Sequence, residues 1–327
     1  MDARPRAVLA FDPPTLAADI FPPHLWGRLA SAVRLETGVV LTETTSAAAR
    51  AQLAEAEVLI AGWGAPRVPS SAVPQLRGVF YAGGVARTCL QDPEEFAARG
   101  VVAANARAAN AVPVAEYTLA MILLANKGAR PAAQEYRVLR EKPVLRPGVG
   151  NYQRVVGIVG ASQVGRLVIE LLRPFDLDVI VYDPTLAEEE AERLGVQTGT
   201  LEEVAAASQV LSLHQPLTAA TTGQIDARIL SLLPDGATVI NTARGAVLDE
   251  SALLDELRRG RLDAVLDVTD PEPPGGHSEL WRLPNVLLTP HIAGSMGNEL
   301  QRLGLDVVLE VERFVRGEAV HYPEELI

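Results

Sequence analysis

Apolar and polar residues alternate in blocks along this chain. Short, continuous apolar runs recur, which is typical of strands that are buried on both faces of a parallel sheet. The first predicted strands are Ala7–Phe11, Val39–Leu41, Val58–Ala61, Gly78–Tyr81 and Val101–Ala104. Segments with helical spacing, such as His24–Leu35 and Ser46–Ala54, lie between them. This alternation predicts an α/β fold in which helices cover a parallel sheet.

The same alternation begins again after a long helical stretch, predicted from about Pro113 to Glu141. The segment Lys142–Asn151 follows it, is rich in proline and glycine, and predicts a loop. The later predicted strands are Val155–Val159, Val179–Tyr182, Val210–Leu213, Ala237–Asn241, Leu262–Asp267 and Val286–Leu288. A last helix is expected near Asn298–Val315. The 327 residues therefore predict two similar α/β domains in tandem.

Composition narrows the class of partner and the compartment. A formal net charge of -12 argues against nucleic acid or an anionic membrane as a partner. The single cysteine, Cys89, excludes an intramolecular disulfide and a thiolate metal cluster, so we expect a buried, inert thiol and no metal site. No apolar run approaches the ~20 residues that span a bilayer. The N-terminus lacks the apolar core of a signal peptide, so we expect a cytoplasmic protein without membrane contact.

One strand–turn–helix segment predicts a dinucleotide site. Gly160, Ser162 and Gly165 stand where the G-x-G-x-x-G fingerprint has glycines, and serine replaces the middle one. The serine hydroxyl could donate to a phosphate oxygen, or it could hold the phosphate further off. Asp183 ends the next strand, 183 − 160 = 23 residues after the first glycine. A carboxylate there binds ribose hydroxyls and repels a 2′-phosphate, which favours NAD over NADP. The alternative is an ordinary turn followed by an aspartate that caps a helix.

Ionisable residues follow three further predicted strands. They are Arg244, the pair Asp267 and Glu272, and His291. In open α/β sheets, ligands bind beyond the carboxyl ends of the strands. An arginine can clamp a carboxylate, and a histidine oriented by a carboxylate can donate a proton to a carbonyl oxygen. Taken singly, each residue has a simpler interpretation, namely a surface arginine, a solvated loop acid or a loop histidine.

Taken together, these segments resemble the D-isomer-specific 2-hydroxyacid dehydrogenase family. The motifs are the glycine turn, Pro216-Leu217-Thr218, Asn241-Thr-Ala-Arg-Gly245, Leu266-Asp267-Val268 and Thr289-Pro-His-Ile-Ala-Gly294. The resemblance covers nearly the whole chain and is strongest from Asn105 to Gly294. It implies two doubly wound parallel-sheet domains with an interdomain cleft. A flavodoxin-like substrate domain would comprise 1–104 plus 295–327, and an NAD-binding Rossmann domain 105–294. It also implies a homodimer.

The resemblance assigns roles to individual positions. Arg244 would bind the substrate carboxylate, and His291, paired with Glu272, would be the acid/base. The cofactor-contacting residues would be Gly160, Ser162, Gln163, Val164, Asp183, His214, Pro216, Thr242, Ala243, Asp267, Ala293 and Gly294. In the first domain, backbone N–H groups of Gly83, Gly84 and Val85 would hold the substrate carboxylate. Arg87 would add a second positive charge, or it is simply a surface arginine at a helix start.

The implied function is hydride transfer between NAD(H) and C2 of a small 2-hydroxy or 2-keto acid, with D-isomer specificity. Two alternatives stay open. The first alternative is a non-catalytic, NAD-responsive binding protein of the same fold. The second is a relative that acts on formate or phosphonate. The identity of the acid depends on the shape of a pocket that sequence does not reveal.

Overall fold

Two parallel sheets form the cores of two separate units of the chain. The structure is a computed structural model that describes residues 4–36, 38–145 and 147–327. One unit comprises Met1–Asn110 and Ser295–Ile327, and the other Ala111–Gly294. The first predicted boundary, between residues 104 and 105, differs from the observed one because one helix, Arg107–Asn126, starts in the first unit and continues in the second.

Strands and helices alternate along the described residues. The strands are β1 (Ala7–Ala10), β2 (Val58–Gly62), β3 (Gly78–Ala82), β4 (Val102–Asn105), β5 (Arg154–Val159), β6 (Leu177–Tyr182), β7 (Gln197–Thr198), β8 (Val210–Leu213), β9 (Thr238–Asn241), β10 (Asp263–Leu266) and β11 (Val286–Leu288). The helices are α1 (Leu16–Ile20), α2 (Pro23–Ala32), α3 (Ala47–Ala54), α4 (Pro93–Ala98), α5 (Arg107–Asn126), α6 (Ala129–Leu139), α7 (Gln163–Leu172), α8 (Glu188–Leu194), α9 (Leu201–Ala207), α10 (Ala227–Leu232), α11 (Glu250–Arg258) and α12 (Leu300–Val315).

The first unit has a parallel sheet in the order β1-β2-β3-β4. Successive residues of a strand point to opposite faces, so Leu9 packs with α2 and α12, whereas Val8 packs with α3 and α4. The prediction of a strand at Val39–Leu41 is wrong. Of these residues only Leu41 is buried, and it pairs with β1 through a single bridge to Ala10. With this rudimentary edge counted as the second strand, the order is the 2-1-3-4-5 of flavodoxin-like sheets, which confirms the predicted class.

The second unit has a seven-stranded parallel sheet in the order β11-β10-β9-β8-β5-β6-β7. Counted from β5, this is the 3-2-1-4-5-6 order of the Rossmann fold with one strand added, as predicted. Helices α5 and α7 cover Ile158 and Ile240 on one face, and α9, α10 and α11 cover Val159 and Val239 on the other. The strand order reverses between β5 and β8, which is where such sheets open a crevice for ligands.

The predicted long helix is two helices. Gly128 separates α5 from α6 with a left-handed backbone, φ 57, which glycine adopts without steric cost. Helix α5 also begins earlier than predicted and carries Pro113 within it. By length and composition alone α5 could cross a membrane, since an 18-residue window has a mean hydropathy of 1.5. The expectation that no apolar run approaches that length is therefore wrong, although Ala115 and Ile122 of α5 lie in the core of the second unit.

Candidate active site

The carboxyl ends of six neighbouring strands stop in one row of the second sheet. Backbone pairing aligns the row in the order Tyr182, Val159, Leu213, Asn241, Leu266 and Leu288. The residues that come next are Asp183, Gly160, His214, Thr242, Asp267 and Thr289. Neighbouring strands lie about 4.8 Å apart, so the six loops begin within roughly 24 Å of one another. Five of these six residues belong to the predicted cofactor set, so the fold brings these five to one edge of the sheet.

The glycine turn between β5 and α7 is required by close packing. Gly160 has a left-handed φ of 95, and a Cβ there would lie 2.5 Å from the backbone nitrogen of Gln215. A Cβ on Gly165 would lie 2.1 Å from the carbonyl oxygen of Gly160. Both contacts are far below van der Waals distance. The first and third glycines of the fingerprint thus let helix α7 begin directly against the strand ends.

Ser162, the substituted middle position, is the N-cap of α7. Its Oγ accepts a hydrogen bond from the backbone N–H of Gly165 at 3.3 Å, so its hydroxyl proton stays available for another acceptor. Among the described residues, the N–H groups of Gln163 and Val164 have no acceptor. A helix N-terminus leaves such donors free and carries partial positive charge. The turn therefore suits a phosphate group, and the serine serves the helix as a cap.

Asp183 is held as a carboxylate at the end of β6. Its Oδ2 accepts from the N–H of Ala161 at 2.6 Å, and its Oδ1 accepts from the N–H and hydroxyl of Thr185, each at 2.7 Å. Burial raises the pKa of Asp183, but these hydrogen bonds and the Arg166 guanidinium lower it by more. The net pKa therefore lies below its ordinary value. The helix-cap interpretation of Asp183 is excluded, since the N-cap of α8 is Ala187.

His214, after β8, is a buried neutral imidazole. Its Nε2 lies 2.8 Å from the Ser212 hydroxyl, and burial lowers its pKa to about 3. A Cβ on Gly165 would lie 3.4 Å from the Cβ of His214. His214 therefore packs beneath the glycine turn and does not act as a second acid. Its cofactor contact, and that of Pro216, stay predictions.

The loop after β9 presents Arg244. Asn241 is fully buried, and its side chain donates to the carbonyl of Arg244 at 2.9 Å and accepts from the N–H of Ala243 at 3.0 Å. A Cβ on Gly245 would lie 2.1 Å from the carbonyl of Thr269, so this loop presses against the loop after β10. Arg244 itself is exposed and donates to the carbonyl of Ala243 at 2.6 Å. No carboxylate of the described residues pairs with it, which leaves its guanidinium available to an anion.

His291 and Glu272 form a pair. Nδ1 of the imidazole lies 2.8 Å from Oε1 of the carboxylate. Their side chains are 52% and 42% exposed, so the pair borders solvent. Because a carboxylate accepts, Nδ1 carries the donated proton and Nε2 is the nitrogen left to face a ligand. The structure thus brings together two residues that are 19 positions apart in sequence.

Asp267 organises the loop that carries His291. It is 2% exposed. Its Oδ1 accepts from the Thr289 hydroxyl at 2.6 Å and from the N–H of Ile292 at 2.9 Å, and its Oδ2 accepts from the N–H of Ala293 at 2.9 Å. The backbone N–H of His291 donates to the carbonyl of Asp267 at 3.0 Å. The aspartate thus holds the loop on both sides of His291, and its direct contact with a cofactor stays a prediction.

Sequence reasoning missed two hydroxyl groups of α5. Tyr117 OH lies 2.9 Å from Oγ1 of Thr289, and Oγ1 of Thr118 lies 3.0 Å from Oγ1 of Thr242. Burial raises the pKa of Tyr117 above its ordinary value. The available signal was a pair of adjacent hydroxyl residues in a largely apolar helix.

In the first unit, the predicted carboxylate-binding loop follows β3. A Cβ on Gly83 would lie 2.6 Å from the Tyr81 ring, whereas nothing would touch one on Gly84. Among the described residues, the N–H groups of Gly84 and Val85 have no acceptor. The side chain of Arg87 is exposed, and its backbone N–H donates to the Glu324 carboxylate at 3.1 Å. The N–H of Gly83 donates to the carbonyl of Tyr81 at 2.9 Å and is not open to a ligand. The open N–H groups of Gly84 and Val85 suit an anion, and the roles of all four predicted residues stay predictions.

Cys89 ends the short helical turn after this loop. It is 1% exposed, and burial raises the pKa of its thiol to about 12. The expectation of a buried thiol is met, and a thiol with that pKa is protonated at neutral pH.

Comparisons with known proteins match this chain to one family. Residues 119–293 match the family model described as D-isomer specific 2-hydroxyacid dehydrogenase, NAD binding domain. D-3-phosphoglycerate dehydrogenase of Mycobacterium leprae is 34% identical over 252 residues, which are 76% of this chain and 47% of that protein. Glyoxylate reductase of Korarchaeum cryptofilum is 32% identical over 256 residues, 76% of this chain and 75% of that protein.

The crystal structure of D-mandelate dehydrogenase from Rhodotorula graminis superposes with a TM-score of 0.78 at 23% identity, over 98% of this chain and 97% of that one, and shows the shared fold. The chain spans about half the length of the D-3-phosphoglycerate dehydrogenases that it matches. The family match covers more than half of the chain and includes the strand ends that carry Asp183, Arg244, Glu272 and His291. The chain belongs to the D-isomer-specific 2-hydroxyacid dehydrogenase family and contains its NAD-binding domain.

Proposed function

We propose that this protein is an NAD-dependent dehydrogenase that acts on the CH–OH group of a small D-2-hydroxy acid and, in reverse, on the 2-keto acid. The observation that carries the proposal is the His291–Glu272 pair, which leaves Nε2 of the imidazole without a hydrogen-bond partner among the described residues. The guanidinium of Arg244, which pairs with no carboxylate of the described residues, lies on a loop two strands away in the same row.

Arg244 binds the substrate carboxylate. Its planar guanidinium presents parallel N–H donors that match the two oxygens of a carboxylate. A substrate held in this way presents its C2 oxygen at a fixed distance from the carboxylate. The need for a carboxylate next to the C2 oxygen selects 2-hydroxy and 2-keto acids over alcohols and ketones that lack the acid group.

His291 moves the proton that accompanies hydride transfer. When bound, the nicotinamide of the cofactor supplies the hydride that C2 accepts, or takes it back during oxidation. In reduction, the Nε2–H of His291 donates its proton to the carbonyl oxygen, which becomes the hydroxyl. In oxidation, Nε2 takes the hydroxyl proton. Glu272 accepts the Nδ1–H, so the ring keeps one orientation in both directions.

The residues present fit NAD. The open N–H groups of Gln163 and Val164 suit the pyrophosphate. The ionised Asp183 suits the ribose hydroxyls and repels a 2′-phosphate. Arg166, the nearby cation, forms an ion pair with Glu190 and is therefore not free to neutralise that phosphate. These contacts favour NAD over NADP.

A homodimer and a cytoplasmic location complete the proposal. Helix α6 buries none of its residues in the described chain. Large apolar side chains are exposed on and around it, namely Leu124, Tyr136, Val138, Leu139, Val144 and Leu145. Monomeric proteins rarely leave such a patch in water, so a second copy of the chain is the proposed cover. The acidic composition and the buried thiol suit a reducing cytoplasm.

A panel of glyoxylate, hydroxypyruvate and longer 2-keto acids, assayed with NADH and with NADPH, tests the activity and the cofactor preference. We expect turnover with at least one acid and a preference for NADH. Binding of NADH without turnover of any acid would favour the non-catalytic binding protein. Oxidation of formate or phosphonate alone would favour the other alternative, and a preference for NADPH would contradict the role of Asp183.

His291→Asn tests the assignment of the proton donor. Asparagine adopts the left-handed backbone that His291 has, φ 55, so the substitution removes the imidazole and keeps the loop. General acid–base catalysis contributes about 10²- to 10⁴-fold, so kcat is expected to fall by that factor while NADH still binds. The matched control is His277→Asn, at an exposed histidine, and it should leave kcat unchanged. A His291→Asn enzyme with near-normal kcat contradicts the mechanism.

A further inference from the structure

Two consecutive residues of α5 reach two different loops of the candidate site. Tyr117 contacts Thr289, which begins the loop of His291, at 2.9 Å. Thr118 contacts Thr242, which begins the loop of Arg244, at 3.0 Å. Thr118 is fully buried, and both contacts join positions more than a hundred residues apart in sequence. One helix is therefore attached to the loop of the proposed proton donor and to the loop of the proposed carboxylate clamp.

The direction of the hydrogen bonds from Tyr117 is fixed by chemistry. Asp267, as a carboxylate, can only accept, so the Thr289 hydroxyl donates its proton to Oδ1 of Asp267 over 2.6 Å. Oγ1 of Thr289 then has only its lone pairs left for Tyr117, so Tyr117 donates to it. The result is a directed chain, Tyr117 to Thr289 to Asp267, in which each hydroxyl strengthens the next bond.

The end of this chain holds a strained backbone. His291 has a left-handed φ of 55, a conformation that costs energy for a residue with a Cβ and persists only where the surroundings impose it. Those surroundings are the N–H bonds of Ile292 and Ala293 to the Asp267 carboxylate. The orientation of that carboxylate depends in turn on Thr289, and Thr289 is held by Tyr117.

We propose that Tyr117 and Thr118 are positioning residues for the reaction. Tyr117 aligns the proton donor through Thr289 and Asp267, and Thr118 aligns the loop of Arg244 through Thr242. The kinetic part of this inference rests on the proposed function. The two residues are expected to affect different kinetic steps. Loss of the Tyr117 hydroxyl acts on the chemical step, whereas loss of the Thr118 hydroxyl acts on ligand binding.

Tyr117→Phe is the first test. The ring and its packing remain, and one hydrogen bond is lost. A net hydrogen bond contributes a factor of about three to ten, so kcat is expected to fall three- to tenfold while KM for the keto acid changes less than about twofold. The control is Tyr152→Phe, at a tyrosine that is 69% exposed, and it should change neither parameter.

Thr118→Val is the second test. Valine has the shape of threonine without its hydroxyl, so the buried packing is preserved. We expect KM for the keto acid and for NADH to rise by about three- to tenfold, as for one lost hydrogen bond, with kcat nearly unchanged. A fall in kcat alone would contradict the assignment of Thr118 to the loop of Arg244.

Thr289 shows whether Tyr117 acts through the proposed chain. Thr289→Ser keeps the hydroxyl and should retain kcat, and Thr289→Val removes it and should lower kcat more than Tyr117→Phe does. Because both residues act along one path, the double variant Tyr117→Phe/Thr289→Val should be no slower than Thr289→Val alone. If the two factors by which kcat falls multiply in the double variant, Tyr117 does not act through Thr289, and the inference is overturned.

Hydrogen exchange gives a readout that needs no turnover. In the wild type, the amides of Ile292 and Ala293 are bound to Asp267, so the peptide that contains them should be protected. Protection is expected to fall in Tyr117→Phe and Thr289→Val and to persist in Tyr152→Phe. Unchanged protection in Tyr117→Phe overturns the inference, even if the wild type reduces keto acids. An inactive wild type that shows the expected loss of protection would sink the proposed function alone.

Discussion

His214 shows how burial sets the chemistry of a single side chain. Its pKa falls from an ordinary 6.5 to about 3, because the imidazole is buried beneath the glycine turn. Below pH 6.5 the unfolded chain binds a proton that the native chain does not, so stability falls as the pH drops from 6.5 towards 3. The linkage slope for one such group is at most about 1.4 kcal/mol per pH unit.

His214→Asn should remove this component of acid sensitivity. Urea unfolding of wild type and variant at pH 7.5, 6, 5 and 4 measures this component. The difference between their free energies of unfolding should shrink as the pH falls. His24→Asn, at an exposed histidine, serves as the control for the replacement of a histidine by asparagine. Parallel stability curves for wild type and His214→Asn would contradict a neutral native imidazole.

At this scale sequence reasoning is strongest where one residue type has one purpose. Gly160 and Gly165 were predicted because only glycine permits such close approach, and the structure shows that approach. The roles of Arg244, Glu272 and His291 stay predictions. Tyr117 was missed because its partner, Thr289, is 172 positions away and a tyrosine in an apolar helix has many structural uses.

Among the elements, the loops after β9 and β10 pack without space between them. A Cβ on Gly245 would lie 2.1 Å from the Thr269 carbonyl, so Gly245→Ala must separate the two loops. Overpacking of this kind costs about 1–3 kcal/mol, and we expect that loss in urea unfolding together with a raised KM for the keto acid. Gly276→Ala is the control, since nothing would touch its Cβ, and it should preserve both. An unchanged KM for Gly245→Ala would show that the spacing of these loops does not set substrate binding.

Element prediction failed where tertiary contacts override local pattern. Val39–Leu41 is apolar enough for a strand, but only Leu41 reaches the core and pairs with β1. β7 was not predicted, because its two residues, Gln197 and Thr198, are exposed and polar and their pairing with β6 is the only sign of a strand. The break at Gly128 was readable as a glycine within a helical pattern, yet glycines are also tolerated inside helices.

For the whole molecule, the apolar surface on and around α6 predicts self-association. Sedimentation velocity of the wild type at micromolar concentration should show a dimer, and Val138→Asp, at a side chain 74% exposed, should shift it to a monomer. The control is Leu309→Asp, at a residue of α12 that is 42% exposed, and it should leave the dimer intact. A monomeric wild type would contradict the proposed homodimer.

The α/β class was the most predictable feature, because block alternation of apolar runs restricts such a chain to few topologies. The flavodoxin-like and Rossmann assignments of the two units came from the family resemblance. The boundary at residue 110 was less predictable, since no break in the apolar pattern marks a helix shared by two units. Substrate identity was not predictable, because it depends on the shape of a pocket and not on residue types alone.

The single row of strand ends has a consequence for protein engineering. Exposed side chains beyond that row, such as Arg244, Glu272 and His291, do not share in the hydrophobic core, so their replacement should leave the melting temperature nearly unchanged. Libraries aimed at new substrates can therefore vary other exposed positions of these loops without crossing the threshold at which the scaffold unfolds, provided that these three residues and Gly245 are kept. The buried anchoring residues, Asn241 and Asp267, should also stay fixed.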